Sequence, residues 1–102
     1  MKIYNKLVRD KIPEIIRNDG KEYEIKVASG KEKYYLLENK LKEEVNEFLE
    51  DKSLEELADI MEVIFGLADT MGYSEEDLFN KREDKKTERG GFKDGIILIN
   101  VK

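Results

Sequence analysis

The sequence predicts a mainly α fold: a helical hairpin bundle of about four helices, with a short two-stranded β element from residues 23–27 and 96–101. Three observations predict it. Two long stretches, from about Lys31 to Glu50 and from Leu54 to about Thr70, space their apolar residues as helices do. A tight turn at Asp51-Lys52-Ser53 joins them, and Ser53 suits the N-cap of the second. Two short stretches, around Tyr23 and Ile96, are rich instead in β-branched and aromatic residues. The 102 residues make one domain, large enough for a modest core only.

Taken in order, Lys2–Asp10 is mixed and expected to be extended or irregular. It gathers Lys6, Arg9 and Lys11 around Asn5 and Asp10. These are either solvated charges on an N-terminal arm or a group that binds phosphate. Asp10 is expected to cap a helix from Lys11 to about Asn18, with Pro13 tolerated in the first turn and Asp19-Gly20 ending it. Glu22–Ala28 alternates Tyr23, Ile25 and Val27 with charged residues, a strand pattern that needs a partner. Ser29-Gly30 breaks it before the first hairpin helix. The second hairpin helix stops at Met71-Gly72 and is apolar over more than half its circumference, so it is expected to be central. Ser74 opens a further helix to about Glu88, with Asp77 completing a near capping box. Arg89-Gly90-Gly91-Phe92 is a sharp exit, and Ile96–Val101 is the natural strand partner for Tyr23–Val27.

Composition excludes several chemistries. Acids outnumber bases 24 to 19, for a net charge of −5, which argues against a nucleic-acid polymer as partner. There is no Cys and no His, hence no disulfide framework, no thiolate or histidine metal site and no histidine base. Catalysis must then use carboxylates, amines, hydroxyls and a metal. An oxygen-only ligand set points to magnesium, with manganese as the alternative. No stretch resembles a signal peptide or could span a bilayer, so the chain is expected to be cytoplasmic and free of membranes.

Four acids stand symmetrically about the hairpin turn: Glu44 and Glu47 before it, Glu56 and Asp59 after it. Each pair is spaced i, i+3 and so shares a helix face. Folding at the turn would set Glu47 opposite Glu56 and Glu44 opposite Asp59, a four-carboxylate cage for a hard cation. Glu44 falls inside the apolar stripe of Tyr34, Leu37, Leu41 and Phe48. Glu56 lies on the flank of the apolar face of its helix, and Asp59 sits beside the small Gly66, whereas Glu55, Glu62 and Asp69 cluster on the solvent face. Buried carboxylates without partners are costly, and a divalent cation would remove the conflict. The alternative is that these acids pair with lysines in a charge-rich protein.

A run of charge from Asn80 to Arg89 places bases at helical spacing: Lys81 with Lys85, Arg82 with Lys86, Lys85 with Arg89. It is either a solvated face or a basic face one helix away from the acids, as a metal-bound polyphosphate would require.

Glu43-Glu44-Val45-Asn46-Glu47 followed by Glu56-Leu57-Ala58-Asp59 resembles the EExxE…ExxD signature of the all-α nucleoside triphosphate pyrophosphohydrolases. Tyr4–Ile16 (YNKLVRDKIPEII) and Glu88–Leu98 (ERGGFKDGIIL) are similar to the small MazG-like, phosphoribosyl-ATP-pyrophosphohydrolase-like proteins. The resemblance covers nearly the whole chain, and the three blocks in this order are specific. It implies that Glu44, Glu47, Glu56 and Asp59 are magnesium ligands and that Glu43 is the remaining acid of the first block. It implies triphosphate contacts from Asn80, Lys81, Lys85 and Arg89. One departure stands out: only residues 48–55 separate the two acid blocks, fewer than is usual in that superfamily.

The resemblance implies hydrolysis of a nucleotide at the α–β phosphate bond to a monophosphate and pyrophosphate, with magnesium and a homodimer or homotetramer. Glu43 or Glu47 would be the base, since no histidine exists. Lys6 and Arg9 would help Lys81, Lys85 and Arg89 steady the phosphates, and Tyr34, Tyr35 or Asn39 would meet the base. Two rivals stand beside this: a phosphoribosyl-ATP pyrophosphohydrolase of histidine synthesis, and a non-catalytic acidic helical module that binds a cation or a protein.

Overall fold

A computed structural model describes residues 1–102. Four helices follow one another: α1 (Ile12–Asn18), α2 (Gly30–Asp51), α3 (Leu54–Thr70) and α4 (Glu75–Arg89). The mainly helical architecture is the one the periodicity predicts.

α2 and α3 form the hairpin. Its turn needs only Lys52 and Ser53. Lys52 adopts a left-handed conformation (φ +50°) and its N–H closes on the Phe48 carbonyl at 2.7 Å. Ser53 is extended, and its hydroxyl accepts from the Glu56 N–H at 3.3 Å, capping α3. Between the two helices Leu37, Val63 and Ala68 are buried. Gly66 permits that approach: a Cβ there would stand 3.0 Å from the Leu37 Cδ2.

Both α1 and α3 end in the same way. Gly20 (φ +79°) follows α1, with Lys21 N–H bonded to Ile16 and Gly20 N–H to Arg17. Gly72 (φ +89°) follows α3, with Tyr73 N–H bonded to Ala68 and Gly72 N–H to Asp69. These are Schellman closures, and each turns the chain sharply out of its helix. At the start of α1 the expected cap is corrected. Lys11, not Asp10, occupies the N-cap position, and no side chain caps it.

α4 begins with the expected capping box: the Asp77 N–H donates to Ser74 at 3.0 Å, and the Ser74 N–H to Asp77 at 2.9 Å. α4 leans on α3 through the Phe79 ring, 5.5 Å from that of Phe65.

The two-stranded β element is not formed. Neither Tyr23–Val27 nor Ile96–Val101 is in a strand, and neither segment makes a backbone hydrogen bond. The physical reason lies in the path of the chain between them. Ala28 and Ser29 line one groove with Asp69 and Thr70, so the first segment ends near the close of α3, where α4 begins. The 15 residues of α4 then carry the chain about 22 Å away, and residues 90–95 do not bring the second segment back into backbone pairing with the first.

α3 is the central helix, with α2 and α4 both packed on it, but it is only partly covered. Leu54, Leu57, Met61 and Ile64 remain exposed. The molecule is elongated, 62 × 32 × 22 Å, with a radius of gyration of 17.8 Å against about 13 Å for a compact chain of this length. No helix is long and apolar enough to cross a membrane.

Candidate metal centre

The hairpin brings the predicted acids together. Carboxylate oxygens of Glu44, Glu56 and Asp59 lie within 4.8 Å of one another, and so do those of Glu43, Glu44 and Glu47. The two clusters share Glu44. Its position follows from the sequence: on α2 it occupies the stripe that Leu37 and Phe48 also use, so packing α2 on α3 draws it inward. Glu44 is the one charged side chain buried in the chain, 6% exposed.

Two oxygens in this group have no partner. Glu44 Oε2 and Glu56 Oε2 are both out of contact with solvent and unbonded. Such atoms are uncommon in folded proteins, because an unsatisfied buried acceptor loses its hydration without recompense. Burial pushes the Glu44 carboxyl above its ordinary range, against the pull of Lys40, with Glu47 and Asp59 adding to the rise. Loss of hydration also raises Glu56, helped by the neighbouring charges of Glu47, Asp59 and Glu44. The cluster thus holds more negative charge than its own surroundings balance.

Part of the balance comes from cations. Lys6 Nζ stands 3.0 Å from Glu43, and that hydrogen bond lowers the Glu43 carboxyl while raising the Lys6 amine. Arg9 Nη2 stands 2.7 Å from Asp59. Lys40 reaches Glu44 at 3.3 Å and Glu43 at 3.5 Å. Glu47 makes no ion pair.

Lys40 is the residue that sequence reasoning missed. Its spacing, i, i+3 to Glu43 and i, i+4 to Glu44, was the signal available. Lys6 and Arg9, expected to touch phosphate, pair here with Glu43 and Asp59. Asn80, Lys81, Lys85 and Arg89 are exposed on α4 and none forms an ion pair with the cluster; the only ion pair on that helix joins Arg82 to Glu83 at 3.7 Å. Tyr34 and Tyr35 line the open groove with Ser29, Asp69 and Thr70, whereas Asn39 lies in a smaller cleft with Lys6, Lys40 and Glu43.

Chemically, the donor set is all carboxylate oxygen, on two rigid helices, with two unsatisfied acceptors facing inward. That suits a hard divalent cation, whose charge would satisfy both oxygens. No family model, no curated protein and no solved structure matches the chain.

Proposed function

We propose that the chain is a magnesium-dependent nucleotide pyrophosphohydrolase of the MazG-like all-α kind, hydrolysing a nucleoside triphosphate between its α and β phosphates. The observation that supports it most is Glu44. A carboxylate buried in an apolar stripe with one oxygen unpartnered is retained against a stability cost, and cation binding gives it a use.

Glu44, Glu56 and Asp59 would hold one magnesium, and Glu43, Glu44 and Glu47 a second, with manganese as the alternative ion. Bound there, such a cation supplies an acidified water and a counter-charge for polyphosphate. Glu47, which no base of the chain engages, takes the proton from the attacking water. The water oxygen bonds the α-phosphorus, the bond to the bridging oxygen breaks, and pyrophosphate departs with those electrons. Lys6 and Arg9, held at the rim by Glu43 and Asp59, can exchange those carboxylates for phosphate oxygens. Asn80, Lys81, Lys85 and Arg89 would reach the phosphates from α4. A homodimer or homotetramer would cover the exposed face of α3.

The same ion pairs favour a second reading, in which Lys6, Arg9 and Lys40 are the acids' structural partners and the hairpin is a non-catalytic module. Pyrophosphate release, measured with magnesium across canonical and modified nucleoside triphosphates, separates the two. Release that is lost in both Glu44→Gln and Asp59→Asn supports the hydrolase. An inert wild type moves the test to phosphoribosyl-ATP, and inertness there too favours the module.

A further inference from the structure

The chain exposes far more surface than a folded monomer of its size should. Its accessible area is 9553 Å². A compact protein of 12.0 kDa exposes roughly 6,000 Å². The excess, about 3,500 Å², is several times the roughly 800 Å² per partner that a standard interface buries. A cover of that size is obligate in scale.

Two features identify what supplies part of it. Ile96, Ile97, Leu98, Ile99 and Val101 are between 76% and 86% exposed, and their backbone groups are bonded to nothing in the chain. A continuous run of such residues is the pattern of a strand covered on both faces. The matching template is Tyr23–Val27, which alternates apolar and charged residues and also lacks backbone partners. It is held in place on both sides: Arg17 bonds the Tyr23 hydroxyl at 2.6 Å and lies over its ring, and Lys26 pairs with Glu32 at 3.1 Å. Within one chain the two segments make no backbone hydrogen bond to each other.

We infer that Ile96–Val101 of one copy adds as a strand to Tyr23–Val27 of a second copy, so that each chain completes its β element with the other's segment. The exchange is the low-cost route to a dimer that a shared, self-complementary pair of elements offers. It rests on the homo-oligomer reading above and is independent of the chemistry of the acids.

The absence of cysteine makes the test clean. Full-length chains carrying Val27→Cys are mixed with chains carrying Ile97→Cys, Leu98→Cys or Ile99→Cys, oxidised, and resolved without reductant, while sedimentation equilibrium gives the mass of the cysteine-free parent. The expected result is a cross-linked heterodimer whose yield alternates along the three positions, as facing and opposed side chains of a strand must. A chain carrying Val27→Cys together with one of the other three that closes the bond within itself and stays monomeric, while the mixed single variants do not cross-link, overturns the exchange. So does an oligomeric parent in which no position cross-links, although the homo-oligomer itself then stands. A monomeric parent overturns both.

Discussion

Arg9 Nη2 approaches Asp59 Oδ1 to 2.7 Å across 50 residues of sequence, tying the irregular first segment to the α3 side of the acidic hairpin. Lys6 does the same on the α2 side through Glu43 at 3.0 Å. The two bases occupy, from the rim, the electrostatic role that a divalent cation would take from within. Removing them should therefore have opposite effects on stability and on metal binding. In Lys6→Gln/Arg9→Gln, the metal-free chain should lose about 0.2–1 kcal/mol per pair, the range for half-exposed ion pairs. Its magnesium affinity should rise, since Lys6 and Arg9 no longer compete for the carboxylates of Glu43 and Asp59. Urea melts and an isothermal magnesium titration read the two effects separately.

Magnesium itself should stabilise the wild type. A ligand bound only by the folded state adds about 2.7 kcal/mol when its free concentration is 100 times its Kd. For a chain of this size each kcal/mol raises Tm by roughly 4–8 °C. Glu44→Gln should abolish that rise while melting higher than the wild type without metal, because the amide has no charge to dehydrate. Thermal unfolding with magnesium and with chelator decides it.

The metal-free pH profile follows from the signs of the shifts. Glu44 and Glu56 are raised above the ordinary 4.5, so their contribution is full below that value and is lost as pH climbs through their folded-state values. Glu43 is lowered, so its contribution is present above 4.5 and is lost as pH falls through its folded-state value. Stability should peak near the ordinary carboxylate value and fall in both directions. Melting in chelator from about pH 3 to pH 8 tests the shape, and added magnesium should flatten the fall toward neutral pH.

Lys52 is a non-glycine residue at φ +50°. Glycine has no Cβ to crowd the next carbonyl there, although it has more freedom to lose on folding. Lys52→Gly should raise stability by about 0.5–1 kcal/mol, seen as a higher urea midpoint with an unchanged slope.

The helices and the acid cluster were legible because both are local. Glu44 shares the α2 stripe with Leu37, and Ser53 marks the turn that sets Glu44 against Asp59. The fates of Lys6 and Arg9 were not legible, since they depend on the path of an irregular segment with no periodicity to read. Tyr23–Val27 and Ile96–Val101 carry strand patterns but form no strand, because pairing is a property of two segments in space. The path between them runs through α4, whose length was readable but whose lean against Phe65 was not.

The two-residue turn between α2 and α3 reverses an ordinary expectation about loops. Connections are usually where a protein tolerates length changes most readily. Here an extra residue that continued either helix would rotate everything beyond it by about 100° and slide it by about 1.5 Å. Glu56 and Asp59 would swing away from Glu44 and Glu47, while the apolar faces could still find each other in a shifted register. The turn therefore acts as a gauge block. A chain with one residue inserted after Asp51 could remain helical and folded and still have no acidic centre.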